Sequence, residues 1–499
     1  MSHTPRAPSA ADRDLTAALV LVERLRPALE REDRAQTVDI VRRLAALRAP
    51  MGEQWLQLSQ IAADNGELGL ARAAVALYAE SAGNSALAQY HTAGLFAHIG
   101  AWREAKAAMG ALPANVPDRA SHAHSSGTAA LFLGEAEEAR SRLEEATVLR
   151  PRSGATWVSL AALVDFAREP ELAERLIAGE RTLAGAAPLE RAAFCYALGK
   201  AHADRAEHPL AFAAFSRGAA EMKSLFAYSR ERDGGMASEA TDGYTAERIA
   251  AIAGRQTEPT ARSIFVTGLP RSGTTLVEQI LTSHSAVSDG AEINRLSLLV
   301  KDIRGLSWHA LGRYVERAGA PEAARLWHHW LDERFPGSGR VVDKTTNTTR
   351  MLGIAAALLP EAPLIWLRRD PLDCAWSCFR TFFRDGLPWS HDLADIAFHF
   401  RLEDRLLEQW QQILGERLLV VPYEDLVSEP EPWIRRILAH CDLPEEPQVF
   451  APHLNRRAVT TSSMMQVRRP INREGIGAAE PYREFLQPFL AAYRGLSSV

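Results

Sequence analysis

The chain is poor in cysteine, with four in 499 residues. That excludes a disulfide-stapled fold, which needs dense, paired cysteines. Cys374 and Cys378 sit one helical turn apart, but no second pair or histidine cluster completes a metal set, so they read as reduced structural thiols. Long apolar runs are also missing. The longest, 353–367, is interrupted by Pro360, Glu361 and Pro363 and is too short to span a bilayer. The opening stretch MSHTPRAPSAADRD lacks the apolar core of a secretory signal. Together these absences predict a cytoplasmic, reducing location and no membrane span. Nor is there an excess of positive charge. With 57 Lys and Arg against 62 Asp and Glu the net charge is −5, which argues against general nucleic-acid binding and leaves a local basic pocket open. The length exceeds one ordinary domain and predicts two or three.

What is present first is a repeat. The first half is rich in Ala, Leu, Arg and Glu with helical periodicity. Gly66, Gly100 and Gly134 recur every 34 residues, as do Ala71, Ala105, Ala139 and Ala173, and Trp55 and Trp157 stand three such periods apart. A further unit carries Gly199, Ala211 and Phe215 after a slip of about four residues. The spacing predicts helix-turn-helix units. Small residues (Gly94, Gly127, Ala161, Gly199) fall where paired helices cross, an alanine opens each second helix, and a turn glycine lies between them. A 34-residue period with these positions resembles the tetratricopeptide repeat over about residues 50–225, with a degenerate repeat at 14–48 as a polar cap. The resemblance implies an all-α solenoid over 14–228. Its concave groove would take a protein or peptide partner, or a second copy of the chain in a homodimer.

Residues 229–260, with Gly234-Gly235 and scattered polar residues, read as a linker holding one helix near 244–254. Beyond it, in 261–499, helices alternate with the short apolar segments 263–268, 340–344, 363–369 and 417–423. Strands buried on both faces and alternating with helices predict an α/β, doubly wound parallel sheet. Such a sheet binds ligands at the carboxyl ends of its strands.

The first strand runs into a phosphate-type loop, GLPRSGTT, residues 268–275. Its glycines let successive N–H groups turn towards one anion, Thr274 and Thr275 open a helix whose dipole favours negative charge, and Arg271 adds a permanent cation. A nucleotide-triphosphate P-loop would carry lysine after Gly273, to reach the terminal phosphates. This loop has none. The segment PRSGTT, residues 270–275, resembles the 5′-phosphosulfate loop of sulfotransferases, which use 3′-phosphoadenosine 5′-phosphosulfate (PAPS). The strand PLIWLRRDP and helix LDCAWSCFR resemble that family's 3′-phosphate motif, with Arg369 at the strand end and Ser377 eight residues later. The whole chain is similar to bacterial repeat-containing sulfotransferases related to the tyrosylprotein enzymes, with a P-loop-like fold.

The resemblance implies further roles. Glu292, in SDGAEI, is the catalytic base, with Asp289 as its rival. Lys344 is the catalytic lysine, and Arg271 joins it in stabilising charge. Ser272, Gly273, Thr274 and Thr275 grip the 5′-phosphate. Tyr423, in VPYEDL, lies near the nucleotide. Arg469 or Arg468 returns to the 3′-phosphate, with Arg469, directly before Pro470, favoured. No metal is implied, and the acceptor is a hydroxyl, on a peptide or protein tyrosine or on a small molecule. No histidine stands where the small-molecule sulfotransferases carry their base; nearby His284 ends the loop helix and reads as a surface or capping residue. Taken alone, Lys344 reads equally as a solvated strand-end lysine, Glu292 as a first-turn glutamate, Tyr423 as a packing residue and Arg369 as a partner of Asp370 or a helix cap. Two other functions stay open: a P-loop kinase or NTPase using Asp343 for magnesium, and a repeat scaffold whose nucleotide domain does not turn over.

Overall fold

The computed structural model describes residues 10–384, 387–459, 461 and 464–495, with side chains from Thr16 onward. The first nine residues of the opening stretch, Ser462 and Ser463 of the carboxy-terminal motif, and residues 496–499 lie outside the described residues.

The amino-terminal half is a succession of helices: α1 (Ala10–Glu30), α2 (Arg34–Ala46), α3 (Gln54–Asp64), α4 (Leu68–Ser81), α5 (Ala86–His98), α6 (Trp102–Gly110), α7 (Arg119–Leu133), α8 (Ala136–Leu149), α9 (Gly154–Ala161), α10 (Pro170–Gly179), α11 (Pro188–Asp204) and α12 (His208–Leu225). Neighbours pack in pairs, α3 on α4, α5 on α6, α7 on α8 and α11 on α12. The 34-residue spacing has a backbone cause. Gly66, Gly100 and Gly134 end the first helix of three successive pairs at φ +87°, +76° and +79°. A side chain there would cost roughly 1–2 kcal/mol. Trp55 and Trp157 make the same bond three periods apart, each indole N–H donating to the carbonyl six residues earlier, Ala49 at 3.1 Å and Pro151 at 2.9 Å. Ala71, Ala105, Ala139 and Ala173 are all buried.

Among the small crossing residues, a Cβ at Gly127 would lie 2.8 Å from Leu143 and one at Gly199 2.6 Å from Phe215. Gly94 differs: nothing lies within 4 Å of the place a Cβ would take, so no close crossing forms there. The repeat slips after α10, before the unit of α11 and α12, and α9 packs directly on α11. Gly154 sits against that helix's backbone, where a Cβ would come within 2.0 Å of the Glu190 carbonyl oxygen.

The stretch 229–260 does more than link. It holds α13 (Arg230–Thr241) and α14 (Ala246–Ala253). α14 matches the expected helix, whereas α13 forms across Gly234-Gly235. Ser229 caps it by accepting from the N–H of Arg232, and its first turn carries Asp233 into a buried charge cluster. There Asp233 pairs with Arg350 at 2.8 Å and accepts from His399 Nδ1 at 2.7 Å and from the Tyr228 hydroxyl. Arg350 also pairs with Glu403 at 3.2 Å. Burial pushes the Asp233 carboxyl up, but His399, Arg350 and Tyr228 outweigh it and hold the group below its ordinary range.

The α/β half adds α15 (Thr274–Leu281), α16 (Leu296–Ile303), α17 (Trp308–Ala318), α18 (Ala320–Arg334), α19 (Leu352–Leu358), α20 (Pro371–Phe379) and α21 (Leu393–Leu414). Among the described residues its five strands are β1 (Ser263–Gly268), β2 (Val287–Ala291), β3 (Arg340–Asp343), β4 (Leu364–Arg368) and β5 (Leu418–Pro422), all parallel in the order β2-β3-β1-β4-β5. Both faces are covered. Phe265, Val341 and Trp366 belong to one apolar cluster, while Ile264, Val266, Val342 and Ile365 belong to another. β2 is unanticipated. Its sequence VSDGA is half polar because it is an edge strand, partly exposed and interrupted by a register shift. The chain leaves β1 towards one edge and β4 towards the other, so these two neighbours form the switch point where ligands bind.

The two halves dock through the turns of the helical array. The positions a Cβ would take at Gly66, Gly100 and Gly134 are filled by Trp330, Arg334 and Arg468. Arg34 pairs with Asp302 at 2.9 Å, and buried Glu67 lies 3.2 Å from His329.

Removing one member of the buried charge cluster strands the others. Asp233→Ala is expected to cost about 3–5 kcal/mol. Because the native carboxylate is held below its unfolded pKa, that contribution is present above about pH 4 and is lost as the pH falls. Thermal unfolding at pH 7 should show a lowered midpoint for the variant. The gap should narrow in acid, and equal midpoints at pH 7 would contradict the assignment.

Candidate active site

β1 ends where two backbones touch. A Cβ at Gly268 would lie 2.4 Å from the Leu367 carbonyl oxygen in β4, and φ there is +130°, so only glycine fits. The loop then turns through Arg271, a non-glycine residue at φ +69°. The carbonyl of Pro270 accepts from the thiols of Cys374 and Cys378 on α20, at 3.4 and 3.3 Å. All four cysteines are free and buried. Burial, then neighbouring Cys374, pushes the Cys378 thiol well above its ordinary range, which keeps it a donor. The i, i+4 cysteine pair therefore serves to hold the loop. At Gly273 the ring of Tyr423 packs so closely that a Cβ would come within 2.6 Å.

Arg271 and Arg369 meet. The Nη1 of Arg369 donates to the carbonyl of Arg271 at 2.8 Å, its Nη2 donates to the carbonyl of Gly475, and its guanidinium lies 4.9 Å over the ring of Tyr423. The Nε of Arg271 donates to Ser377 Oγ at 3.0 Å, and its Nη2 to Gln466 Oε1 at 3.1 Å. These residues surround a cavity of about 210 Å³, lined also by Gly273, Thr275, Tyr423 and Arg469. Ser272 and Thr274 are buried in the loop and helix start beside it. Neither Ser272 Oγ nor Arg369 Nε has a hydrogen-bond partner among the described residues.

Arg380 joins the same wall and was not anticipated. Its signal was present, since it follows Ser377 by three residues and so shares a face of the helical segment. Burial, then Arg380 and Arg369, pushes the Arg271 guanidinium down to about 10. Among the described residues no carboxylate lies within ion-pair distance of Arg369 or Arg380. Arg469 is held at the exposed rim by Glu474. Arg468 points elsewhere, filling the space over Gly134 in the helical array.

The second group forms where β2 and β3 end side by side. The backbone N–H of Lys344 donates to the Ala291 carbonyl at 2.8 Å. Its side chain is only 1% exposed, and Nζ donates to Glu292 Oε1 at 2.6 Å, while Glu292 is 53% exposed. Lys344 is thus a buried, paired cation rather than a solvated one. Asp289 turns to Arg457, 3.5 Å away. His284 is buried, which corrects the surface half of the surface-or-cap reading; Nε2 bonds to the Pro444 carbonyl, and Nδ1 accepts from the N–H of Ala286 just past α15. Asp343 accepts from the N–H and hydroxyl of Thr345, and burial pushes its carboxyl up to about 6. Among the described residues no group of His, Cys, Asp or Glu is arranged to hold a metal ion. No described helix is long and apolar enough to cross a membrane. A second cavity of about 680 Å³ is lined by Glu292 and by Gly268, Leu269 and Pro270, the start of the loop.

Residues 263–447 match the model of the sulfotransferase family. An uncharacterized protein of Aquifex aeolicus is 27% identical over 372 residues, which make up 72% of this chain and 48% of that protein. A protein-tyrosine sulfotransferase of Drosophila melanogaster is 26% identical over 232 residues, 43% of this chain and 46% of that one. The chain spans about half the length of the curated relatives it matches. Among solved structures, the sulfotransferase domain of the Synechococcus PCC 7002 olefin synthase is similar at a TM-score of 0.35 and 18% identity, over 49% of this chain and 98% of that one. The region that matches the sulfotransferase family's model, residues 263–447, thus carries a parallel sheet with Arg271, Arg369 and Arg380 gathered on one cavity at its switch point.

Proposed function

We propose that the protein moves a sulfuryl group from PAPS to an acceptor hydroxyl, on a tyrosine of a peptide or protein or on a small molecule. The observation that carries the reading is the convergence of Arg271, Arg369 and Arg380 on one cavity, with no carboxylate in ion-pair reach of the last two among the described residues. Crowded like charges of this kind suit a multiply charged anion. The unpartnered Ser272 hydroxyl and Arg369 Nε fit a phosphate that would complete their bonds. Arg271, Ser272, Gly273, Thr274 and Thr275 would hold the 5′ end. Arg369, Ser377, Arg469 and Arg380 would hold the 3′-phosphate, with Tyr423 beside the nucleotide. When bound, PAPS supplies a sulfuryl group on a phosphate leaving group, with no pyrophosphate to neutralise, and the reading calls for no metal.

In this reading Glu292 accepts the proton of the acceptor hydroxyl. Lys344 fixes Glu292 in place and, with Arg271, offers positive charge where negative charge builds. The Drosophila relative's name supports tyrosine as acceptor. The helical half, about 14–228, is then a tetratricopeptide solenoid that binds a protein partner, joined through 229–260 to the transferase half, 261–499, in a cytoplasmic enzyme. The recurring left-handed glycines and the matched Trp55 and Trp157 bonds support the solenoid.

Two variants separate the roles. Arg369→Ala is expected to weaken binding of adenosine 3′,5′-bisphosphate about 10–100-fold, the worth of one or two charge-assisted hydrogen bonds. Calorimetry reads it, and an unchanged Kd would remove the 3′-phosphate assignment. Glu292→Gln is expected to lower turnover of labelled PAPS about 10²–10⁴-fold while leaving that Kd in place. Full activity in this variant would give the base to another group.

A further inference from the structure

The acceptor has to reach Glu292, and the cavity of about 680 Å³ leads there. It is more than three times the volume of the donor cavity, about 210 Å³. One wall comes from outside the family-matched region. Tyr228, Arg232 and Met236, on α13 and the turn before it, line the cavity upstream of residue 263, where the match begins. This wall is fixed. Asp233 ties it to Arg350 and His399, the Glu239 carboxylate accepts from the N–H of Leu306 at 2.9 Å, and the Asp242 carbonyl accepts from the N–H of Trp308 at 3.0 Å.

Polarity is divided within the cavity. Asn294 and Thr345, beside Glu292 and Lys344 in the chain, make one end polar. At the α13 end the buried charged groups neutralise one another: Asp233 and Glu403 face Arg350, Asp233 also holds His399, and the Tyr228 hydroxyl is given to Asp233, while the exposed Arg232 stands apart from this cluster. Trp389 lies stacked on His399, with ring centroids 4.2 Å apart, and covers it. Beyond the exposed Ser229 and Arg232, what this end offers an occupant is apolar surface: Met236, Val300, Leu306, Met351, Trp389 and the ring of Tyr228.

Resting on the sulfuryl-transfer reading, we propose that α13 is the acceptor-selecting wall of this enzyme and that it selects hydroxyl compounds carrying an apolar body larger than one ring. The hydroxyl lies at the Glu292 end and the body against α13. A polar body laid on that apolar surface would give up its water without gaining partners. The same chemistry comes from two sources: a free alkylphenol, or a tyrosine flanked by apolar side chains in a peptide.

The test compares kcat/KM with PAPS within two pairs of acceptors. One pair is phenol and 4-heptylphenol; the other is end-blocked Gly-Gly-Tyr-Gly-Gly and Leu-Leu-Tyr-Leu-Leu. The apolar member of at least one pair should be preferred about tenfold or more, and the pair that responds identifies the source. Met236→Asp should bring that preference close to parity. It should also raise the Kd of 4-heptylphenol, read by quenching of tryptophan fluorescence, while the Kd of adenosine 3′,5′-bisphosphate stays in place. Met236 is 43% exposed, and Met236→Ala, with a smaller effect in the same direction, guards against misfolding. Parity within both pairs in the unaltered protein, or a preference that Met236→Asp leaves intact, overturns the proposal. Absence of transfer to all four acceptors, with 4-heptylphenol binding still sensitive to Met236→Asp, counts against sulfuryl transfer and leaves the selecting wall standing.

Discussion

The bond from the Arg369 guanidinium to the carbonyl of Arg271 joins two turns that are 98 residues apart, and the site depends on it. It can form because β1 and β4 are neighbours whose chains depart in opposite directions, which leaves their carboxyl ends side by side. Each reinforcement of that junction has a cost that the surrounding fold absorbs. Gly268 gives up a side chain so that the backbones can touch, Arg271 sits in a left-handed conformation, and Arg271, Arg369 and Arg380 crowd around one cavity. Two buried thiols on the Pro270 carbonyl and the ring of Tyr423 over Gly273 keep the loop in shape against that repulsion. Strain and like charge gathered at one place, over-determined by packing, are what a preorganised anion pocket requires.

The helical array takes part in the same pocket. Its turns, not only its helix faces, are engaged: Gly66, Gly100 and Gly134 receive Trp330, Arg334 and Arg468. The N–H of Val459 donates to the Phe132 carbonyl at 3.1 Å, and Met464 and Val467 pack with Ala130, Leu131 and Ala139. The segment anchored this way continues into Arg469 and Gly475 on the cavity that Arg271 and Arg369 line. Adjacent arginines therefore divide the work, Arg468 holding the segment to the array and Arg469 facing the cavity. The left-handed turns that set the repeat spacing also provide the side-chain-free surface on which the second half docks.

Legibility followed the range of the forces involved. The loop 268–275, the buried strands and the helical period could be read because each is set by residues close in the chain: glycine at positive φ, continuous apolar runs, alanine at recurring positions. β2 was hidden because an edge strand tolerates polar residues, and VSDGA carries no apolar run. α13 was hidden because Gly234-Gly235 argues against a helix locally, and the groups that hold it come from far along the chain, His399 from 166 residues away. Gly94 shows the converse: a small residue in register that no neighbour approaches.

By itself the sequence determined the local conformations and the inventory of charges, including a strand-loop-helix without its lysine and a 34-residue helical period. The tertiary structure decided pairings and directions. It turned Glu292 rather than Asp289 to Lys344, set Arg469 rather than Arg468 on the cavity, brought Arg380 beside Arg271, and made α13 a wall of the larger chamber. The reason is physical. Backbone preferences act over a few neighbouring residues, whereas the partner of a charged side chain depends on which distant segments the strand order brings within a few ångströms.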